Sequence, residues 1–412
     1  MKASLHIAAM LVLTTAPIAQ AAGEVLPAGK AQSGSDVGDG GLSAFYDWRG
    51  ALPSDAGVII AEENLPPEYS VTSASKAMRI LYTARNGITD QGVVAVSAAV
   101  FVPKGNPPAG GWPILAWAHG TTGIADICAP SARPRGDRDS QFLSHWLDNG
   151  FLVVASDYQG LGTPGIHPYS NYRAHSYSLL DSARALLGKA SYRAANKVIL
   201  AGQSQGAGAV VAAGGYAPIY TPDLSVRAVI ATGAPNLSRD AIETGLASSA
   251  TDVMVTGAYT MIGYELTRIH PDLSADQIFT PKGRELEARV SDACLPELMS
   301  EAVARQLDPS KTFQAGMLKK LWDTDVDLRS FPSMTLGMPL FFGIGAKDTA
   351  ALPMTTLSLV NDLCGLGNTV EAHIYKDKDH SGVVNAAAPD AIAFAKSVVG
   401  AGPMAATCKV PS

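Results

Sequence analysis

The feature that most limits how this chain can fold is a set of short, nearly unbroken apolar runs placed far apart. Ile114 to Ala118, Phe151 to Ser156, Lys197 to Ala201 and Arg227 to Thr232 are such runs, each starting roughly 30–45 residues after the last. A strand with one wet face alternates polar and apolar residues. A strand with almost no polar positions is covered on both sides, and the long spacers leave room for covering helices, such as Leu179 to Leu187. A parallel sheet with helices on both faces is therefore predicted. Pro339 to Ile344 and Val370 to Tyr375 extend the series. The start differs: Met78 to Ala84 and Val93 to Val102 are strand-like runs separated by the turn Arg85-Asn86-Gly87, which predicts antiparallel pairing.

Between Ala234 and Gly337 the rhythm is lost over a stretch far longer than ordinary connections. Helix-like segments there, Arg239 to Leu246, Leu295 to Leu307 and Phe313 to Trp322, mark residues 235–337 as an inserted, mainly helical cap or lid. Its apolar run Val253 to Tyr264 reads either as the cap's own core or as a substrate-facing lid. Residues 23–60, rich in Gly, Ala, Ser and Asp, read as a loosely ordered surface extension. The core is then split into 61–234 and 338–412. An antiparallel start feeding a doubly covered parallel sheet, interrupted by an insertion, is the α/β-hydrolase layout. A length of 412 residues suits one such core plus an insertion.

The N-terminus bears on compartment. Lys2, the short apolar stretch Ile7 to Ala16, Pro17 and the small-x-small site Ala19-Gln20-Ala21 form a signal peptide over residues 1–22. The protein is thus expected to be secreted or periplasmic. No later segment offers enough uninterrupted apolar residues to cross a bilayer. A net charge of −6 without a basic stripe argues against a nucleic-acid partner. The four cysteines, Cys128, Cys294, Cys364 and Cys408, include no C-x-x-C pair, so a zinc site is not expected. An even number in an exported chain favours two disulfides, with three pairings possible. The local pair Cys364–Cys408, which encloses His380, is favoured and leaves Cys128–Cys294.

The chemical signal is Gly202-Gln203-Ser204-Gln205-Gly206. With 40 glycines in the chain, a G-x-S-x-G match alone is weak. Its surroundings strengthen it. The apolar strand Val198 to Ala201 leads in, and the small-residue stretch Gly206 to Ala213 leads out into a tightly packed helix. A sharp strand-to-helix turn strains the backbone at the serine, and flanking glycines remove side chains that would clash. A serine hydroxyl needs a base, and in this layout the order is Ser, acid, His. Of the histidines after Ser204, His270 lies in the insertion and His373 within a strand. His380, in the loop after the Val370 to Tyr375 strand, is the candidate base. Asp348, in the loop after Phe341 to Ile344, is the candidate acid. Asp325 and Asp327 precede that strand, and Asp377 and Asp379 are too near His380 in sequence to face its ring. Two backbone N–H groups should meet the developing oxyanion: Gln205, after the nucleophile, and Thr121, in His119-Gly120-Thr121-Thr122-Gly123. Gly160-Leu161-Gly162-Thr163-Pro164-Gly165 matches a dinucleotide fingerprint, but Pro164 and Pro168 spoil the helix start it would need.

At these residues the chain resembles the secretory lipase family, the lipase A type of α/β-hydrolases. The resemblance rests on Gly202 to Gly206, on Asp157-Tyr158-Gln159-Gly160-Leu161-Gly162, on the insertion after Ala234, and on the Asp348 and His380 loops. It implies lipase or esterase activity on small-molecule or lipid acyl esters without a cofactor. The cysteine arrangement is also similar, implying Cys128–Cys294 and Cys364–Cys408. The loop His119 to Gly123 departs from the family, where an Asp-bearing stretch stands in its place. The resulting expectation is a secreted serine carboxylic-ester hydrolase acting through Ser204, Asp348 and His380 with an acyl-enzyme intermediate. The alternatives are an acyltransferase on the same residues and a non-catalytic binding protein on the same fold.

Overall fold

The computed structural model describes residues 42–248, 252–400 and 407–410. The expected signal peptide, 1–22, lies outside them, as does the first half of the expected 23–60 extension.

Ten strands form one sheet: β1 (Ile59–Asn64), β2 (Ala74–Arg85), β3 (Val93–Pro103), β4 (Trp112–Ala118), β5 (Leu152–Ser156), β6 (Ala194–Gln203), β7 (Val226–Thr232), β8 (Leu340–Gly345), β9 (Val370–Tyr375) and β10 (Cys408–Lys409). Their order is β1-β2-β3-β5-β4-β6-β7-β8-β9-β10. β1, β2, β3 and β5 pair antiparallel in turn, and every pair from β5 to β10 is parallel.

Twelve α-helices among the described residues accompany the sheet. Outside the β7–β8 connection they are α1 (Asp137–Asp148), α2 (Tyr172–Leu187), α3 (Gln205–Tyr220), α11 (Pro353–Gly365) and α12 (Gly382–Val399). Between β7 and β8 run α4 (Arg239–Ser248), α5 (Val253–Ile269), α6 (Ala275–Ile278), α7 (Pro281–Glu287), α8 (Leu295–Ala304), α9 (Pro309–Thr312) and α10 (Met317–Asp323). The period-2 geometry of a strand divides the central residues between two cores. Ile114, Ala116, Val198 and Leu200 pack with α2, α3 and α11; Leu115, Trp117, Ile199 and Ala201 pack with α1 and α12. Both sides of each central strand are thus dry, which is why the sequence shows unbroken apolar runs. This is the α/β-hydrolase fold.

Two segments differ from expectation. In the 23–60 stretch, Tyr46 is buried with its hydroxyl 2.8 Å from Ser131 Oγ, and Ile59 begins an edge strand on β2. That strand continues into the polar residues Glu62, Glu63 and Asn64, so it lacks an apolar signature. The expected helix Phe313 to Trp322 shortens to Met317–Asp323, because Phe313 pairs with Phe279 across an isolated bridge and Gly316 takes φ +76°. The run Val253 to Tyr264 lies in α5, with Tyr259, Met261, Ile262 and Tyr264 buried. Gly263 there leaves space that the Phe279 ring fills, since a Cβ would come within 2.6 Å of it.

Candidate active site

The site starts from backbone geometry. Ser204 stands between β6 and α3 with φ 57° and ψ −121°, a conformation that a residue with a Cβ adopts at a cost of about 1–3 kcal/mol. The flanking glycines permit it. A Cβ on Gly202 would run into the backbone of Gly206, and one on Gly206 into the carbonyl of Ala118. The Ser204 N–H donates to Thr232 O at 3.1 Å, which ties the turn to β7. Ser204 is half-buried and its hydroxyl makes no hydrogen bond among the described residues. The amide of Gln205 opens α3, where helix geometry provides it no acceptor.

β8 and β9 are neighbours, so their C-terminal loops meet. His380 Nδ1 donates to Asp348 Oδ2 at 2.8 Å. The other oxygen, Asp348 Oδ1, accepts from Ala350 N at 2.9 Å and Ala351 N at 2.8 Å. Asp348 is buried, while the His380 ring keeps some exposure. With Nδ1 donating, Nε2 carries the free lone pair. Gln203 Nε2 holds the His380 carbonyl at 3.3 Å. Gly233, at φ +56° beyond β7, supports the pair from beneath: its missing Cβ would stand 3.0 Å from His380 Nδ1 and 3.3 Å from Asp348 Oδ2.

The other two candidate histidines, and the acids Asp325, Asp377 and Asp379, are engaged elsewhere. His270 Nε2 lies 2.7 Å from Asp325 Oδ2 in the insertion, and His373 lies between Glu371 and Asp390. Asp377 faces Lys347, and Asp379 accepts from Gly382 N.

The loop after β4 lies against the elbow, because a Cβ on Gly120 would meet the Gln203 side chain. Thr121 Oγ1 is 2.8 Å from the Tyr169 hydroxyl. Thr122 O accepts from Leu295 N at 2.8 Å, so the start of α8 touches this loop. His119 is buried, donates from Nδ1 to Gly120 O, and is pushed down to about 4 by burial, so it stays neutral. The Gln205 side-chain nitrogen Nε2 lies 3.3 Å from His175 Nε2, and burial also drives the His175 imidazole well below its usual range. Under the loop, Asp157 accepts from Ser97 Oγ at 2.7 Å and from the Ser131 N–H and hydroxyl; burial raises its carboxyl to about 6.

The glycine-rich stretch from Gly160 is a turn and no helix start. Gly160 and Gly162 have positive φ, and α2 begins only at Tyr172, capped by Asn171. Asp181, at about the sequence spacing at which such a fingerprint carries its ribose-binding acid, is buried and bonded to Tyr220, the Arg85 N–H and Arg184. Among the described residues no three His, Cys, Asp or Glu side chains converge as a metal ion requires, and no helix is long and apolar enough to cross a membrane.

Both disulfides are present. Cys128–Cys294 joins the segment after the β4 loop to the start of α8, and Cys364–Cys408 joins α11 to β10. Gly233, Tyr169, His175 and the buried pair Arg329–Glu265 carry no motif that would have marked them in the sequence.

Comparison with known proteins agrees with this architecture. The closed state of Candida antarctica lipase A superposes with a TM-score of 0.70 at 20% identity, covering 90% of this chain and 89% of that one. The rice cell wall degrading esterase LipA from Xanthomonas oryzae superposes with a TM-score of 0.62 at 17% identity, covering 84% and 97%. At these identities the likeness is one of fold. In sequence, Lipase A of Moesziomyces aphidis is 25% identical over 263 residues, 59% of this chain and 53% of that protein, so the match spans about half the length of this curated relative. The family model described as secretory lipase matches residues 136–397. That match takes in more than half of the sequence, from α1 to the last turn of α12, and on it the chain belongs to the secretory lipase family.

Proposed function

We propose that this protein is a serine carboxylic-ester hydrolase, a secreted lipase or esterase, with Ser204 as nucleophile, His380 as base and Asp348 as the acid that orients it. The observation that carries the reading is the 2.8 Å hydrogen bond from His380 Nδ1 to a buried Asp348, in a loop whose His380 carbonyl is held by Gln203, the neighbour of a serine at φ 57°. That bond leaves Nε2 as the proton acceptor, and the carboxylate stabilises the imidazolium formed when the proton arrives. Ser204 Oγ then attacks the ester carbonyl carbon while its proton passes to His380 Nε2. The carbonyl oxygen gains the charge, met by the N–H groups of Gln205 and Thr121. His380 returns the proton to the leaving alcohol, and an acyl-Ser204 ester remains. Water, deprotonated by the same Nε2, attacks it, and release of the carboxylic acid regenerates the serine. The half-buried hydroxyl has no hydrogen bond among the described residues, and nucleophile–base hydrogen bonds tighten when substrate binds. The helices between β7 and β8 serve as the cap over the acyl group. Two disulfides fit an exported enzyme, as does the signal peptide expected over residues 1–22.

The test is hydrolysis of p-nitrophenyl butyrate and palmitate by the mature chain made in an oxidising compartment, with Ser204→Ala alongside. The variant should lose turnover and keep its Tm. Wild-type turnover in Ser204→Ala refutes the assignment; cleavage of butyrate but not palmitate marks an esterase.

A further inference from the structure

We propose that Tyr169 is a positioning residue for ester cleavage. Its phenol donates a hydrogen bond to Thr121 and turns the Thr121 hydroxyl hydrogen toward the substrate oxygen, adding a side-chain donor to the two backbone amides. The inference rests on the role given above to Ser204 and the loop after β4.

Tyr169 OH and Thr121 Oγ1 lie 2.8 Å apart. Each hydroxyl has a single hydrogen, so only one can donate in this pair. The Tyr169 phenol is almost fully buried and burial holds it protonated, so its hydrogen needs an acceptor; the Ser170 side chain also interacts with the phenol, and we assign the hydrogen to Thr121 Oγ1 at 2.8 Å. Thr121 is then left with a free hydrogen, at a half-exposed position next to the glycine that packs on the elbow. A hydroxyl fixed from behind in this way is preorganised for charge that appears only during attack.

The backbone that aims Tyr169 is held at some cost. Ser170, the next residue, takes φ +59°, a left-handed conformation unfavourable for serine. Such geometry persists where its surroundings over-determine it. Here Arg329 Nη1 grips the Tyr169 carbonyl at 2.7 Å, the Tyr172 N–H donates to Leu328 O at 2.7 Å, and Asn171 caps α2 through Ala174 N. Arg329 is itself buried, with Glu265 of α5 at 3.5 Å. Leu328 and Arg329 belong to the β7–β8 connection, as do Cys294 and Leu295, which hold the β4 loop from its other side. Thr121 therefore sits between two attachments of the helical insertion. In this arrangement the insertion does more than cover substrate: it sets the angle of a donor.

Tyr169→Phe removes only the hydroxyl. For p-nitrophenyl butyrate, kcat should fall about 10–100-fold, less than the ~10²–10³ typical of deleting a donor outright, with KM within about 3-fold. Affinity for butylboronic acid, which mimics the tetrahedral intermediate, should fall by the same factor as kcat/KM. Thr121→Val, which deletes the donor itself, should lose at least as much, and Thr121→Ser should keep most activity. The double variant Tyr169→Phe/Thr121→Val should be no slower than Thr121→Val alone. Losses that multiply in the double variant, or a Tyr169→Phe kcat within about 2-fold of wild type, overturn the proposal. If Tyr169→Phe does not fold, the threonine pair decides: equal kcat in Thr121→Val and Thr121→Ser overturns it. Full activity in Ser204→Ala would instead remove the underlying reading, so the two failures are told apart.

Discussion

Gly233→Ala is a sharp test of how the acid–histidine pair is held, because it adds one methyl group at a known place. That carbon would stand 3.0 Å from His380 Nδ1, 3.1 Å from His380 Cε1 and 3.3 Å from Asp348 Oδ2. Favourable contacts of this kind lie at about 3.5–4.0 Å, so the ring must retreat by roughly half an ångström. A displacement of about 1 Å costs on the order of 10²-fold in rate, which places this one near 10-fold in kcat. The backbone contributes separately. Alanine at φ +56° is less favourable than glycine by roughly 1–2 kcal/mol, worth a few degrees of Tm in a domain of this size. Gly367→Ala isolates that second effect: Gly367 has φ +81° in the turn between α11 and β9, and a Cβ there meets nothing within 4 Å. Steady-state hydrolysis of p-nitrophenyl butyrate and thermal melts of both variants are the assay. The expected result is a similar Tm loss in each and a kcat loss in Gly233→Ala only. Wild-type kcat in Gly233→Ala, with its Tm lowered, would refute the claim that close packing at Gly233 sets the histidine's position.

Asp348→Asn should lower kcat by on the order of 10³–10⁴ with a modest change in Tm, because the amide oxygen can still accept from Ala350 and Ala351 while the imidazole loses its orienting charge; a loss under 10-fold would speak against its role. The double variant Cys128→Ser/Cys294→Ser opens a loop of 166 residues, worth roughly 5 kcal/mol as an upper figure in the chain-entropy model, and denaturant melts should show a loss of that order; unchanged melts would contradict it. His167 is buried, donates from Nδ1 to Gln159 O, and burial pushes its imidazole down to about 4. A depressed histidine contributes stability above its unfolded value near 6.5 and loses it as pH falls through about 4, so wild type should lose up to about 3 kcal/mol more than His167→Gln over that window. Parallel stability curves for the two proteins between pH 7 and pH 4 would refute this.

How much of the molecule could be read beforehand follows from where burial leaves a local mark. β4 to β8 were legible because a strand buried on both faces must be apolar throughout. β1 and β10 were not. β1 sits at the sheet edge with polar residues on its outer half, and β10 is two residues long, held beside β9 by the Cys364–Cys408 bond. Helix α2 begins seven residues before the apolar run that signals it. His175, Ser176, Ser178, Asp181 and Ser182 look like a surface face, yet all are fully buried. Most of their polar atoms find partners inside the protein, such as Ser178 Oγ with the Ala174 carbonyl and the Gln159 N–H, although His175 Nδ1 has none among the described residues, and no pattern rule anticipates a core of that kind.

The candidate site divides along the same line. Strand, strained serine and helix are contiguous, so Gly202 to Gly206 carries its own context, and chain order was enough to rank Asp348 and His380 among their competitors. The hydrogen bond between those two side chains, 32 residues apart, exists because the sheet sets β8 beside β9 and their loops close together. Gly233 under the histidine, Tyr169 behind Thr121, and Arg329 reaching across 160 residues to the Tyr169 carbonyl belong wholly to the tertiary structure. The sequence by itself determined the elements whose residues are neighbours along the chain, since backbone sterics and burial act within a few positions. Which distant side chains meet was decided only when those elements packed, because a hydrogen bond reaches about 3 Å and leaves no trace in the spacing of the residues it joins.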